Sequence, residues 1–214
     1  MSVPTLTQLA AFTIASIVLI EIPGPSLLFA LGRALTVGRR DALLSVVGNA
    51  SGVLVQGVAA AAGLGAVVAA STTAFTVLKL VGAAYVIYLG VQAIRHRGDA
   101  RAALEQDAGQ RRTSGLGAVR AGFVVGVTNP KTIVFLMAFL PQFIAAGAPA
   151  VPQLLLLGVL FAVLACASDV VWVLAASQAR TWFARRPERL DGLGVTGGVM
   201  MIGVGGFLAT SHNA

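Results

Sequence analysis

Charge is scarce in this sequence: 11% of its 214 residues are Asp, Glu, Lys or Arg, against the roughly 25% usual in soluble domains. Too few charges remain to clothe a water-facing surface, which excludes an ordinary soluble domain of this length. Cysteine is nearly absent, and the single Cys166 sits within an apolar run. An intramolecular disulfide and a cysteine metal cluster are both excluded. Only two histidines occur, His96 in a charged loop and His212 near the end of the chain. A histidine-based catalytic or metal site therefore has nothing to build on. The sequence contains neither G-x-x-x-x-G-K-[ST] nor H-E-x-x-H, the patterns that hold a phosphate or a catalytic zinc. No enzyme activity, cofactor or metal is expected, and energy for any work must come from a gradient or a partner. No Lys or Arg precedes Arg33, so the basic start of a cleaved signal peptide is missing.

What is abundant is apolar. Hydrophobic residues make up 57% of the chain and come in long runs, including 13–22, 53–70 and 153–168. A helix needs about 20 mainly apolar residues to span a bilayer. Six spans can be drawn, over 5–31, 42–70, 76–94, 119–144, 152–176 and 192–210, giving an all-α integral membrane protein. The net charge of +7 raises the question of a nucleic-acid partner. The basic residues, however, sit in short clusters between apolar segments, with no basic face and no aromatic interleaving. All except Lys79 and Lys131 fall around the first, third and fifth connections, from Arg33 through Arg120 to Arg189. The positive-inside rule turns those connections to the cytoplasm and puts both termini outside. The bilayer, not nucleic acid, is the expected surroundings of the chain.

The third connection, about 96–118, mixes Asp99, Glu105 and Asp107 with arginines and reads as a solvated cytoplasmic linker. It divides a single transmembrane domain, 1–214, into repeat one (about 1–95) and repeat two (about 119–214). Each half has three spans, an odd number, so the second half must sit upside down relative to the first. The halves echo one another. Ile22-Pro23-Gly24-Pro25 interrupts the first span and Thr128-Asn129-Pro130-Lys131 the fourth. Gly82 and Gly90 in the third span are repeated in their interval by Gly197 and Gly205 in the sixth. Inverted repeats with broken helices are common in secondary transporters, and the substrate site lies where the repeats meet. The pairs Gly48 and Gly52, Gly122 and Gly126, and Gly194 and Gly198 read as packing residues, because close backbone approach drives helix association in lipid.

Of the eight acidic residues, only Glu21 and Asp169 lie within spans, joined by Lys131 and, nearer the outside, Lys79. Counted from Arg33, Arg120 and Arg180 at about 1.5 Å per residue, Glu21 lies roughly 18 Å deep, and Lys131 and Asp169 about 16 Å. The middle of a hydrocarbon core about 30 Å thick is at that depth. An ionisable group there costs at least about 2.5 kcal/mol unless paired or hydrated. Two readings follow. In one, Lys131 forms a structural ion pair with Glu21 or Asp169. In the other, the three share a polar cavity in which Glu21 or Asp169 carries a proton or meets a substrate amine. Prolines inside spans free backbone groups, which survive at membrane depth only when buried in protein or facing a wet cavity. Ser26, Asn49, Asn129, Thr132 and Tyr85 are further polar groups for such a space.

These residues resemble the LysE/RhtB family of bacterial amino-acid exporters along nearly the whole chain. The resemblance rests on Pro23-Gly24-Pro25, on Gly48-Asn49 with Gly52, and on the stretch from Lys79 through Tyr85 to Leu89-Gly90. In the second half it rests on Asn129-Pro130-Lys131 and on Phe139-Leu140-Pro141-Gln142-Phe143. It implies a multi-pass exporter of amino acids or close derivatives in the cytoplasmic (inner) membrane, driven by the proton motive force. It also implies a substrate-binding core of Pro23, Gly24, Pro25, Ser26, Asn49, Asn129, Pro130 and Lys131. The family often carries Asp or Asn after the PGP element, where this chain has Ser26. An exporter of another small solute or a metal cation is the alternative, and a homo-oligomer is compatible with either.

Overall fold

The computed structural model describes residues 4–70, 72–98, 115–145, 147–179, 186 and 189–210, and among them the regular structure is all helical. In chain order the helices are α1 (Leu6–Glu21), α2 (Pro25–Thr36), α3 (Arg39–Ala70), α4 (Thr72–Arg95), α5 (Gly115–Thr128), α6 (Pro130–Phe139), α7 (Ala150–Gln178) and α8 (Arg189–Thr210). A 3-10 turn, Leu140–Phe143, extends α6. Most of the 96–118 linker, the side chain of Lys79, and Arg180 and Arg185 lie outside the described residues.

Both predicted breaks are present. Helices α1 and α2 meet at 53°, and α5 meets the α6 segment at 46°. Two helices, α3 over Arg39–Gly63 and α7, are long and apolar enough to cross a membrane alone, and each bent pair counted as one span raises the number to four. The third and sixth predicted spans coincide with α4 and α8, whose described apolar stretches, Leu80–Arg95 and Gly194–Gly203, are shorter. The result is a multi-span, all-α bundle with bent helices. The predicted first connection, 32–41, shrinks to Val37 and Gly38, because α2 runs to Thr36 and α3 begins at Arg39. Gly38 makes this turn with φ at 102°, a conformation that a Cβ disfavours.

Small residues set the packing. A methyl group on Gly48 would run into the Val119 carbonyl, and one on Gly122 into the Ser45 carbonyl, so α3 and α5 touch backbone to backbone. A methyl on Gly126 would meet the Asn49 carbonyl, which leaves the next turn equally tight. Two contacts are reciprocal. A Cβ on Gly57 of α3 would stand 3.3 Å from the Gly158 Cα of α7, and a Cβ on Gly158 would stand 3.3 Å from the Gly57 Cα. A Cβ on Gly90 would meet the Gly198 carbonyl oxygen at 2.6 Å, and the reverse contact measures 2.5 Å. Helix α4 therefore pairs with α8 through Gly90 and Gly198.

Two apolar clusters divide the interior. One contains Phe12, Leu19, Ile22, Phe135 and Phe161, with Phe135 stacked on Phe139 at 4.6 Å and 5.3 Å from Phe161. The other contains Leu27, Leu31, Val46 and Val173. On α3, Asn49 falls between Val46 and Val53 of the respective clusters, and on α7, Asp169 falls between Ala165 and Val173. A polar layer is held between two apolar plugs. Outward faces are apolar as well, with Ile14, Val58, Val81 and Val171 all more than half exposed. That surface suits lipid.

Candidate functional site

The two breaks arise from the same local chemistry and are finished differently. Pro23 has no N–H to continue α1, so the helix ends at Glu21, and Pro25 takes the first position of α2 with Gly24 extended between them. At the second break Pro130 takes the first position of α6, where its missing N–H costs nothing. Asn129 caps α6: its Oδ1 accepts the Lys131 amide N–H at 3.0 Å. Gly24 has no side chain to do this for α2, and no side-chain cap is present there.

Freed carbonyls at each break are met from the other half of the chain. Lys131 Nζ donates to the Ile22 carbonyl at 2.6 Å and to the Leu19 carbonyl at 3.0 Å. A cation here also complements the negative end of the α1 dipole. At the second break Gln56 Nε2 donates to the carbonyls of Val127 at 2.9 Å and Asn129 at 3.1 Å. Lys131 and Gln56 are both buried. In hydrocarbon an unsatisfied backbone group costs several kcal/mol, so these two side chains make the broken helices tolerable.

A hydrogen-bonded chain links the breaks. Asn129 Nδ2 donates to Ser26 Oγ at 2.6 Å, Ser26 Oγ donates to Asn49 Oδ1 at 3.0 Å, and Asn49 Nδ2 donates to Asp169 Oδ2 at 2.9 Å. Six of the predicted residues, Ser26, Asn49, Asn129, Lys131, Thr132 and Asp169, line one small cavity of about 30 Å³. A water molecule requires about 10–15 Å³ on this measure. The cavity admits water and no amino acid.

Other predicted residues lie elsewhere. Pro23, Gly24 and Pro25 border a larger cavity on the opposite side of the first break, and Pro130 is partly buried at the start of α6. Glu21 is exposed on the outer face of the bundle, where its carboxylate accepts from Ser168 Oγ at 2.7 Å and Trp172 Nε1 at 2.9 Å. Tyr85 is also exposed, beside Tyr88 at 5.9 Å between ring centroids. Among the described residues Lys131 forms no ion pair; its ammonium is held by carbonyls. Three contributors escape the sequence reading: Gln56, Ser168 and Trp172. Gln56 carried a signal, being the one amide side chain in the apolar run 53–70. Ser168 and Trp172 matter only because α7 passes the end of α1.

The LysE type translocator family matches residues 17–212, which include both breaks. A homoserine/homoserine lactone efflux protein of Salmonella typhimurium is 33% identical over 205 residues, covering 95% of this chain and 97% of that protein. An uncharacterized membrane protein of Vibrio cholerae is 33% identical over 202 residues, 94% of this chain and 96% of its own length. A Bacillus subtilis membrane protein is 27% identical over 203 residues, 92% and 96% of the two chains. No solved structure matches the chain. With the family match running through both broken helices and the relatives aligned almost end to end, the chain belongs to the LysE type translocator family.

Proposed function

We propose that this chain exports amino acids or close derivatives, homoserine among them, across the cytoplasmic membrane as a secondary transporter driven by the proton motive force. The observation that carries the reading is the assembly in which Lys131, Asn129, Ser26, Asn49 and Asp169 meet at the two breaks. An ammonium, amide and hydroxyl groups and a carboxylate provide complementary partners for the two charged ends of an amino acid. Lys131 has three donors and uses two on carbonyls, which leaves one for a substrate carboxylate. Asp169 is the group that takes the proton or the substrate ammonium. Pro23, Gly24, Pro25 and Pro130 shape the site through the backbone they free. The efflux role named for the Salmonella relative supports the substrate class.

The same reading divides the chain into six spans in two inverted halves, 1–95 and 119–214, joined by a cytoplasmic linker. The reciprocal contacts of Gly57 with Gly158 and Gly90 with Gly198 are what a two-fold axis in the membrane plane would produce. The confinement of arginine to alternate connections supports termini on the outside. The polar cavity is closed to anything larger than water, so loading requires the breaks to part. The test is efflux of radiolabelled homoserine and a panel of amino acids from loaded vesicles, with and without an imposed pH gradient. Absence of gradient-stimulated efflux for every amino acid tried would remove this function.

A further inference from the structure

We propose that the cavity between α2, α4 and α8 receives the amino acid before it reaches Lys131, and that the Gly24 backbone is the movable wall between the two. This rests on the exporter reading and adds a second substrate position to it. The cavity measures about 360 Å³ and is bordered by Gly24, Leu28, Leu89, Gln92, Arg97 and Met201. Ligand sites typically measure about 300–1,000 Å³, so it has room for an amino acid where the polar cavity beyond the break has none.

The chemistry of its lining suits a zwitterion with a short side chain. Leu28, Leu89 and Met201 supply apolar surface. Gln92 Nε2 donates to the Tyr88 hydroxyl at 2.9 Å, which leaves the amide oxygen to accept from an ammonium. Arg97 is exposed and brings positive charge for the carboxylate. No Asp or Glu is among the described residues that line it.

Gly24 stands between this space and the ammonium. A Cβ there would lie 3.2 Å from Cδ and Cε of Lys131 and 3.3 Å from its Nζ, so one peptide unit is all that intervenes. That unit is held by few hydrogen bonds. Pro23 and Pro25 have no N–H to donate, and Gly24 is extended, with φ at −138° and ψ at −174°. Swinging it aside disturbs the two Lys131 contacts to the end of α1 and one bond of α2, from the Leu28 N–H to the Gly24 carbonyl at 2.9 Å. A carboxylate arriving from the cavity would take the remaining donor of Nζ and draw the ammonium from the Ile22 carbonyl, which couples arrival of the substrate to release of the break.

The experiment uses the full chain with Cys166→Ser, carrying Leu28→Cys or Gln92→Cys in turn, in inside-out vesicles. A membrane-impermeant maleimide should label both positions from the cytoplasmic side, and homoserine should protect both. Leu28→Trp, which fills the cavity without touching Lys131, should lose homoserine export, while Val81→Trp on the lipid face should keep it. Unmodified protein measured in the same vesicles tests the exporter reading separately. If it exports homoserine while neither cysteine is protected, or while Leu28→Trp exports normally, the proposed cavity role is overturned and the exporter reading stands. If it exports no amino acid, both are overturned.

Discussion

The Lys131 ammonium sits 2.6 Å from the carbonyl oxygen of Ile22, the residue at which the first span breaks. This buried cation is thus hydrogen-bonded to the end of a helix from the other half of the chain. An arrangement of this kind ties two events together. Whatever draws Lys131 away leaves the Ile22 carbonyl without a donor, while the Leu19 carbonyl keeps the Ile22 N–H, and whatever moves the break releases Lys131.

Replacing Lys131 by Met should therefore damage both function and folding. Loss of its charge-assisted hydrogen bonds, about 1.5–3 kcal/mol each, should lower homoserine export by about tenfold or more. It should also lower the midpoint of thermal unfolding in detergent. Normal export by a stable Lys131→Met protein would contradict the assignment.

Gln56→Leu separates stability from transport chemistry. The substitution keeps the volume apolar but leaves the Val127 carbonyl without its donor, while the Asn129 carbonyl keeps the Ile133 N–H. A buried group so orphaned costs about 1–3 kcal/mol. Denaturant or thermal unfolding should register the loss, and an unchanged midpoint would show that the second break does not depend on this amide.

Asp169→Asn should abolish stimulation of export by a pH gradient while leaving homoserine exchange between equal concentrations measurable. The substituted amide can still accept from Asn49 but cannot carry a charge. Glu21→Gln removes a carboxylate that faces away from the cavity and should retain the gradient response. The reverse pattern in vesicle assays would move proton coupling to Glu21.

Gly122→Val and Gly63→Ala test the packing from opposite sides. Any Cβ at Gly122 strikes the Ser45 carbonyl, so α3 and α5 must separate, and folded yield should collapse. At Gly63 nothing lies within 4 Å of an added Cβ. Ala there should be tolerated or should stabilise α3 by up to about 1 kcal/mol through helix propensity. Size-exclusion profiles and unfolding midpoints of the two variants check this directly.

Much of the bundle was legible in the residues alone. The proline breaks follow from covalent structure, since a missing N–H and a fixed φ act wherever the ring stands. Gly48, Gly52, Gly122 and Gly126 were identified as contacts from their spacing, and they sit in the α3–α5 interface. Relative level along the helices could be counted as well, because rise per residue is constant along a helix. Lys131 and Asp169 were placed in one layer by counting, and they border one cavity.

Direction around each helix was not readable. In water an apolar stripe marks the buried side, but a helix in lipid is apolar all round. On α1, Leu19 is buried and Ile17 and Val18 are exposed, with nothing in residue type to tell them apart. Residues two apart point roughly 200° from each other on a helix. Glu21 therefore faces outward although Leu19 faces in and the depth estimate put Glu21 level with Asp169. Sequence by itself determined which segments are apolar and where they break, because these depend on local covalent geometry and transfer free energy. Only tertiary packing decided which charges face one another, which carbonyls Lys131 and Gln56 satisfy, and on which side of Gly24 an amino acid finds room.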